Sequence, residues 1–381
     1  MRTSPRSLSK LTKEFRGWLE GDRIQAFFDE FGIKFAAGHW AAGDFKDRFA
    51  PDGYMSNVPS FRGDVFGQIE RVHAAGIRAI EFHEQVFIDK NYKRDDFKIR
   101  EVRDAMAKYG MYCNNMNINC WSDPKWKLGA ACNPDPAIRR DAHALLDQAG
   151  DIAHALGAPT VALWPGSDGW DYHFQINEGK ALEWYIDACT VLAKSAKRNG
   201  IKAATEPKVH EPREMNMIIK STAKAALVCQ EVNRRVGKGM LGINIDYGHE
   251  QMDNNTPADS VYMLKVIGVP LVASHINEAK PKSNDEDRIA GSGDWWRMVE
   301  YIYACIETGF NGHFAEDQFT YRDDPTAAMA ASREFFANIA RRALLIWKDR
   351  DVLLAAQAKG DGPAVLNALK RTILSGEPMK R

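Results

Sequence analysis

The chain has 381 residues, of which 45% are hydrophobic and 27% are charged, so it can bury a large core. Lysine plus arginine equals aspartate plus glutamate at 51 each, which disfavours nucleic acid or an anionic membrane as a partner. No stretch approaches about 18 uninterrupted apolar residues, and the six cysteines show no CxxC pairing. These features predict a soluble, cytoplasmic protein without a disulfide framework.

Short β-branched or alternating runs recur along the chain with amphipathic segments between them, a pattern typical of repeated βα units. The predicted strands are 33–40, 77–84, 111–119, 159–165, 201–208, 242–249, 271–279 and 313–319. The predicted helices are 62–75, 96–109, 137–156, 178–198, 212–236, 258–267, 294–308 and 325–345. Eight strands alternating with eight helices predict an α/β fold, a (β/α)8 TIM barrel.

The alternative α/β architecture is an open doubly wound sheet, which usually carries a glycine-rich phosphate loop after its first strand. Here that position reads AAGHWAAGDF, without GxGxxG, so the barrel is favoured. We predict an N-terminal helical lead-in over 1–32, the barrel over 33–346 and a C-terminal helical arm over 347–381. The arm either packs on a neighbouring subunit or forms a loosely attached tail.

Ionisable residues follow the apolar cores of five predicted strands, where the side chains of a barrel meet at one mouth. The residues concerned are His83, Glu206, Lys208, Asp246, His249, His275, Glu316 and Asp317. Carboxylates gathered there would repel each other in a low dielectric, and a divalent cation would relieve that repulsion. Oxygen ligands with one or two imidazoles suit Mg²⁺, Mn²⁺ or Co²⁺.

Each of these residues also has a structural interpretation. His83 could be a hydrogen-bonded histidine at a strand end, and Asp246 with His249 could begin a helix. Lys208 could form an ion pair or could stabilise an oxyanion beside Glu206. Glu316 and Asp317 are adjacent and would point to opposite faces of a strand, so we expect only one in the mouth.

Two further groups of residues lie near the predicted mouth. Trp40, Trp121 and Trp164 stand at or just past strand ends, where they are either core aromatics or a wall that stacks on sugar C–H faces. The loop after the seventh strand contains Asp285 and Asp287, whose carboxylates could face one ion, although such pairs are common in solvated loops.

Three motifs occur in the order and at a spacing similar to those of the xylose isomerases. The segment 206–213, EPKVHEPR, resembles their EPKxxEPR motif. The segment 246–252, DYGHEQM, resembles ExGHEQM with Asp in place of Glu, and 284–291, NDEDRIAG, resembles YDQDLRFG. The chain therefore resembles the xylose isomerase family, with a metal-site pattern shared with the L-rhamnose isomerases.

The resemblance implies two divalent metal ions, Mn²⁺, Mg²⁺ or Co²⁺. One would be bound by Glu206, Asp246, His275 and Asp317, and the other by Asp246, His249, Asp285 and Asp287. At the seventh strand the xylose isomerase ligand is an aspartate, which here is Asn277. L-Rhamnose isomerases and related keto-sugar epimerases use the histidine, so His275 is assigned and Asn277 is held in reserve. Likewise, the DQxxxxxDP pattern of the rhamnose isomerases favours Asp317 over Glu316.

The implied activity is aldose–ketose isomerisation by a hydride shift. His83 would help to open the sugar ring, Lys208 would polarise the C1 oxygen and Asp285 would move a proton. The aspartate that xylose isomerases carry three residues after the ring-opening histidine is Val86 here. The partner is a small sugar, neither nucleic acid nor a membrane, and the resemblance implies a homo-oligomer, a tetramer or dimer.

Two other functions stay open at this point. The first is a keto-sugar 3-epimerase, or another metal-dependent sugar lyase or dehydratase on the same barrel, with a single metal. The second is a non-catalytic sugar-binding barrel, which would be expected to have lost ligands. The presence of His249, Asp285 and Asp287 favours the isomerase.

Overall fold

A computed structural model of the chain describes residues 1–211 and 216–379. Eight parallel strands form a closed barrel in which β8 pairs back onto β1, with Ala315 opposite Ala36. The strands are β1 (Phe35–Gly38), β2 (Ala79–His83), β3 (Tyr112–Ile118), β4 (Thr160–Leu163), β5 (Lys202–Thr205), β6 (Leu241–Asp246), β7 (Leu271–Ile276) and β8 (Phe314–Glu316). The predicted (β/α)8 barrel is confirmed.

The helices surround the barrel and extend it at both ends of the chain. They are α1 (Pro5–Lys10), α2 (Asp22–Phe31), α3 (Val65–Ala74), α4 (Asp96–Lys108), α5 (Pro136–Leu156), α6 (Glu178–Arg198), α7 (Thr222–Val236), α8 (Tyr247–Met252), α9 (Pro257–Ile267), α10 (Trp295–Thr308), α11 (Pro325–Lys348), α12 (Arg350–Gln357) and α13 (Gly362–Ser375). None of those in the described residues is long and apolar enough to cross a membrane.

Helix α7 begins later than the prediction of 212–236. Its first turn is capped by Ser221, whose side chain accepts from the N–H of Lys224. Residues 212–215, which include Pro212 and Arg213 of the EPKVHEPR motif, lie outside the described residues. Just beyond them, Asn216–Met217 pairs antiparallel with Gly169–Trp170 over the mouth-side loops.

Strand β6 is shorter than predicted because Asp246 ends it and caps the next helix. The Oδ1 atom of Asp246 accepts from the N–H of His249 at 2.8 Å, which starts α8 at Tyr247. The backbone interpretation of this pair as a helix start is therefore correct. Both side chains nevertheless face the mouth, as described below.

The core has two parts. The larger lies between the strands and the helices and includes Phe82 on β2 and Phe336 on α11. Inside the barrel, Ala36, Ala79 and Ala315 form a small apolar layer near the N-terminal ends of their strands. The side chains above that layer are polar, because residues two apart on a strand share a face and the inward positions there hold acids, amides and histidine.

Arginines on α11 tie the terminal segments to the barrel. Arg341, which is 2% exposed, donates to the carbonyls of Phe15 at 2.5 Å and Gly376 at 3.0 Å. Its neighbour Arg342 donates to Ile373 at 2.8 Å. The C-terminal helices thus pack on α11 of their own chain.

Replacing Arg341 by methionine is expected to lower the free energy of unfolding by about 2–4 kcal/mol, because buried carbonyls lose charged donors. Urea unfolding would measure the change. The matched control is Arg350→Met, which removes an exposed arginine that also donates to a backbone carbonyl, that of Trp347. Equal stability of the two variants would contradict a bracing role for Arg341.

Candidate metal and active site

Four potential ligands meet at the C-terminal end of the barrel. Glu206 follows β5, Asp246 ends β6, His275 lies on β7 and Asp317 follows β8. Each offers one ligand atom, and these atoms all lie within 4.8 Å of one another. Three of the four side chains are buried and Asp317 is half-buried. Burial and the nearby carboxylates raise the pKa of Asp246 to about 7 against the opposing charge of His249.

The imidazole of His275 is oriented to place its Nδ1 atom in this cluster. Its Nε2 lies 3.1 Å from Oε2 of Glu81, to which it donates. Its Nδ1 lies 3.1 Å from Glu206 Oε2 and 3.0 Å from Asp317 Oδ2, without the geometry of a hydrogen bond. Against the effect of burial, these carboxylates raise the pKa of His275 well above its usual value, so they favour the charged imidazole where no other cation is present. A divalent metal can take the place of the proton on Nδ1, because an imidazole nitrogen and carboxylate oxygens are ligands that such ions use, so these residues fit a divalent metal.

Glu81 is a functional residue that the sequence interpretation missed. It is fully buried on β2, and three asparagine amides donate to it at 2.7 to 3.0 Å, those of Asn114, Asn115 and Asn117. Burial alone would raise the pKa of Glu81, but the charge of His275 and these hydrogen bonds outweigh it and lower the pKa to about 2. A carboxylate inside an apolar strand, two residues before His83, was the available signal.

On one side of the four ligands, Lys208 and His249 hold Asp285. The Oδ2 atom of Asp285 lies 2.7 Å from Lys208 Nζ and 3.1 Å from His249 Nε2. Its other oxygen, Oδ1, is buried with no hydrogen-bond partner among the described residues. Lys208 also contacts Glu211. Burial opposes the charge of Lys208, but Asp285 and Glu211 outweigh it and raise the pKa of Lys208 well above its usual value.

Asn277 lies between Asp246 of the four-ligand cluster and Asp287 of the loop after β7. Its amide nitrogen donates to Asp287 Oδ1 at 2.8 Å and to Asp246 Oδ2 at 3.2 Å, and its oxygen accepts from the N–H of Gly248 at 2.8 Å. A side chain at Gly248 would meet that oxygen at 2.5 Å, which explains the glycine. Asn277 thus fixes the position of two predicted ligands, and its amide donates to both of them.

Within residues 1–211 and 216–379, the first ligand set is the only group of three or more acidic, histidine or cysteine side chains with this spacing. The second set is not gathered in the same way. One oxygen of Asp285 forms ion pairs with Lys208 and His249, and one oxygen of Asp287 accepts a hydrogen bond from Asn277. The second metal therefore stays a prediction.

His83 lies against two of the predicted tryptophans. Trp40 stacks on its ring at 4.3 Å between centroids, and Trp121 meets the ring edge-on at 5.2 Å. The indole N–H of Trp40 donates to Asp317 Oδ1 at 2.7 Å, so Trp40 also orients a ligand. Val86 is half-buried and packs against the hydrophobic core.

Trp164 completes the aromatic wall. It meets Trp121 edge-on at 4.6 Å, and the ammonium of Lys208 lies 5.0 Å from its ring centroid. The indole N–H of Trp164 is buried with no partner among the described residues. A cavity of about 540 Å³ opens beside Trp40 and His83, lined also by His39, Gln68 and Tyr321. The four ligands do not line this cavity themselves, but Trp40, which does, donates to one of them, Asp317.

A family model described as xylose isomerase-like TIM barrel matches residues 69–339, more than half of the chain. The chain belongs to the xylose isomerase-like TIM barrel family. Xylose isomerase from Thermus thermophilus is 24% identical over 342 residues, which cover 88% of this chain and 83% of that protein. A probable sugar isomerase from Rhizobium meliloti is 24% identical over 71% of this chain and 62% of its own length.

Solved structures of two sugar epimerases have a fold similar to that of this chain. A D-psicose 3-epimerase crystallised with D-fructose superposes with a TM-score of 0.58 at 16% identity, covering 83% of this chain and 99% of its own. An L-ribulose 3-epimerase gives a TM-score of 0.59 at 14% identity, covering 85% and 98%. At these identities the likenesses concern the fold alone.

Proposed function

We propose that the protein is a divalent-metal-dependent sugar isomerase that interconverts an aldose and its ketose. The single observation that carries this proposal is the position of His275 Nδ1 between two carboxylate oxygens, with Lys208 and Asp285 beside them. The similarity to the xylose isomerase of Thermus thermophilus over 88% of this chain supports the same class of reaction.

A cation bound by Glu206, Asp246, His275 and Asp317 would polarise a sugar oxygen as a Lewis acid. The other steps fall to this chain's residues. His83 handles the proton of ring opening, while Lys208 stabilises negative charge on the C1 oxygen. Burial opposes ionisation of Asp285, but Lys208 and His249 outweigh it and lower its pKa, so Asp285 is ionised and has an oxygen to which a sugar hydroxyl can donate.

In the isomerisation itself, Asp285 carries the proton of the C2 hydroxyl to the C1 oxygen. The hydrogen on C2 moves with its electron pair to C1, and the carbonyl passes from C1 to C2. Atoms and charges balance without an organic cofactor. The aromatic wall of Trp40, Trp121 and Trp164 would keep water from the reacting carbons.

A keto-sugar 3-epimerase is the second candidate, and a specific observation favours it. The described residues gather one four-ligand set, which is enough for an enzyme that uses a single metal beside carboxylate bases. The solved 3-epimerase structures superpose on this chain with TM-scores of 0.58 and 0.59. In that reaction a base removes the proton on C3 and returns one to the opposite face.

The two functions differ in the fate of a hydrogen atom. EDTA-treated protein would be supplied with Mn²⁺, Mg²⁺ or Co²⁺ and a panel of aldoses and ketoses, with products followed by NMR in D₂O. We expect interconversion only with metal, at least about 10²-fold faster than without it, and little deuterium in the product. Deuterium at C3 of a ketose would establish the epimerase instead. Inactivity on every sugar, with no metal bound, would overturn both and leave a non-catalytic sugar-binding barrel.

We also propose that the protein is a homo-oligomer, which light scattering would test.

A further inference from the structure

His83 is connected to a chain of polar groups that leads away from the metal ligands. Its Nδ1 lies 3.3 Å from Nε2 of His39, the residue that follows β1. The Nδ1 of His39 lies 2.8 Å from Oε1 of Gln68 on α3. His39 is 7% exposed, and Gln68 and His83 are half-buried. Neither His39 nor Gln68 contacts a predicted ligand through a hydrogen bond.

The acceptor at the end of this chain fixes the hydrogen positions. The carbonyl oxygen of an amide only accepts, so Nδ1 of His39 carries the hydrogen and its Nε2 carries a lone pair. That lone pair accepts from Nδ1–H of His83, which leaves Nε2 of His83 unprotonated. The amide nitrogen of Gln68 lies 3.7 Å from the position of a Cβ on Gly43, away from His39.

The surroundings keep both rings neutral and hold them in place. Burial lowers the pKa of His39 to about 4, and burial also holds the pKa of His83 well below its usual value. The stacking of Trp40 and the edge contact of Trp121 fix the plane of the His83 ring. Nε2 of His83 has no hydrogen-bond partner in the described part of the chain, and His83 lines the 540 Å³ cavity.

We propose that His39, held by Gln68, is a positioning residue that fixes His83 as its Nδ1–H tautomer and leaves Nε2 free to take a proton from a sugar hydroxyl. The sugar as substrate rests on the proposed function. In ring opening, Nε2 takes the proton of the anomeric hydroxyl as the bond from the anomeric carbon to the ring oxygen breaks. The electron pair of that bond goes to the ring oxygen, which receives the proton back from Nε2. His83 begins and ends neutral.

The tautomer can be measured without any substrate. Long-range ¹H–¹⁵N spectra of the Mg²⁺-supplied protein labelled with ¹⁵N-histidine distinguish Nδ1–H from Nε2–H, with His83 assigned by the loss of its signals in His83→Gln. We expect Nδ1–H in the wild type and a shift toward Nε2–H in Gln68→Leu. The matched control is Gln148→Leu, which removes a half-buried glutamine that donates to the carbonyl of Tyr92.

Kinetics then test the consequence. On the aldose that the wild type turns over, Gln68→Leu is expected to lower kcat/KM by about 10²-fold with unchanged Mn²⁺ content, while Gln148→Leu keeps the wild-type rate. A wild-type Nε2–H tautomer, or a tautomer that Gln68→Leu does not change, would overturn the proposal. If the wild type acts on no sugar, the proposed function fails, while the spectra still decide the role of His39.

Discussion

Replacing His275 by alanine is expected to abolish metal retention and to lower sugar turnover by about 10³-fold, since a bound cation contributes several kcal/mol to the transition state. The variant removes the imidazole from a four-ligand set whose other members are carboxylates, and it leaves Glu81 buried without its imidazole partner. Metal content after dialysis and initial rates with Mn²⁺ would measure the two effects.

The chain offers a matched control for that variant. His313 stands just before β8, at the opposite end of the barrel, where its Nε2 lies 3.1 Å from the hydroxyl of Tyr112. His313→Ala removes an imidazole and one hydrogen bond from the same fold, so we expect it to keep both metal and activity. A His275→Ala variant that binds Mn²⁺ and reacts like the His313→Ala protein would exclude His275 as a ligand.

The second large effect is expected at Lys208. Lys208→Met should lower kcat by about 10²- to 10³-fold with metal still bound, because a preorganised cation near the C1 oxygen is lost. The same change leaves the buried Asp285 with His249 as its remaining charged partner, so the free energy of unfolding should fall by about 3–5 kcal/mol. Steady-state kinetics and urea unfolding would report the two quantities separately.

A double variant separates the loss of the catalytic cation from the loss of the counter-ion of Asp285. Lys208→Met with Asp285→Asn removes both charges of the pair, so most of the lost stability should return. Activity should stay low, because neither the cation nor the proton acceptor is present. Recovery of turnover in the double variant would mean that Lys208 acts only as the counter-ion of Asp285, which was its structural interpretation from the sequence.

Much of the fold could be predicted because each βα unit repeats the same local signals. The residues at which the strands end were harder to predict from the sequence. The first strand was predicted to run to Trp40, but it stops at Gly38 because His39–Ala42 form a short 3₁₀ helix. The indole of Trp40 then folds back over Gly38, into the space that a side chain there would need. The sixth strand stops at Asp246 because that side chain caps a helix.

The site was predictable where polar residues directly follow apolar strands, and Glu206, Asp246, His275 and Asp317 do meet. The supporting residues were not. Glu81 lies inside a strand and finds its partner 194 residues later, across the barrel. Gln68 lies on a helix and reaches His39 by a contact that no local pattern marks. Such pairings depend on the closed sheet rather than on neighbouring residues.

The contact between Glu81 and His275 affects how substrate and product can enter and leave the barrel. Strands β2 and β7 are not neighbours, so this pair crosses the bore of the barrel, and the alanines at 36, 79 and 315 fill the space beneath it. The interior of the barrel is therefore closed at its N-terminal end and opens only at the mouth. A molecule that enters at the mouth of the barrel must also leave there. Substrate and product therefore compete for the same opening, and we expect product inhibition to be competitive in steady-state kinetics.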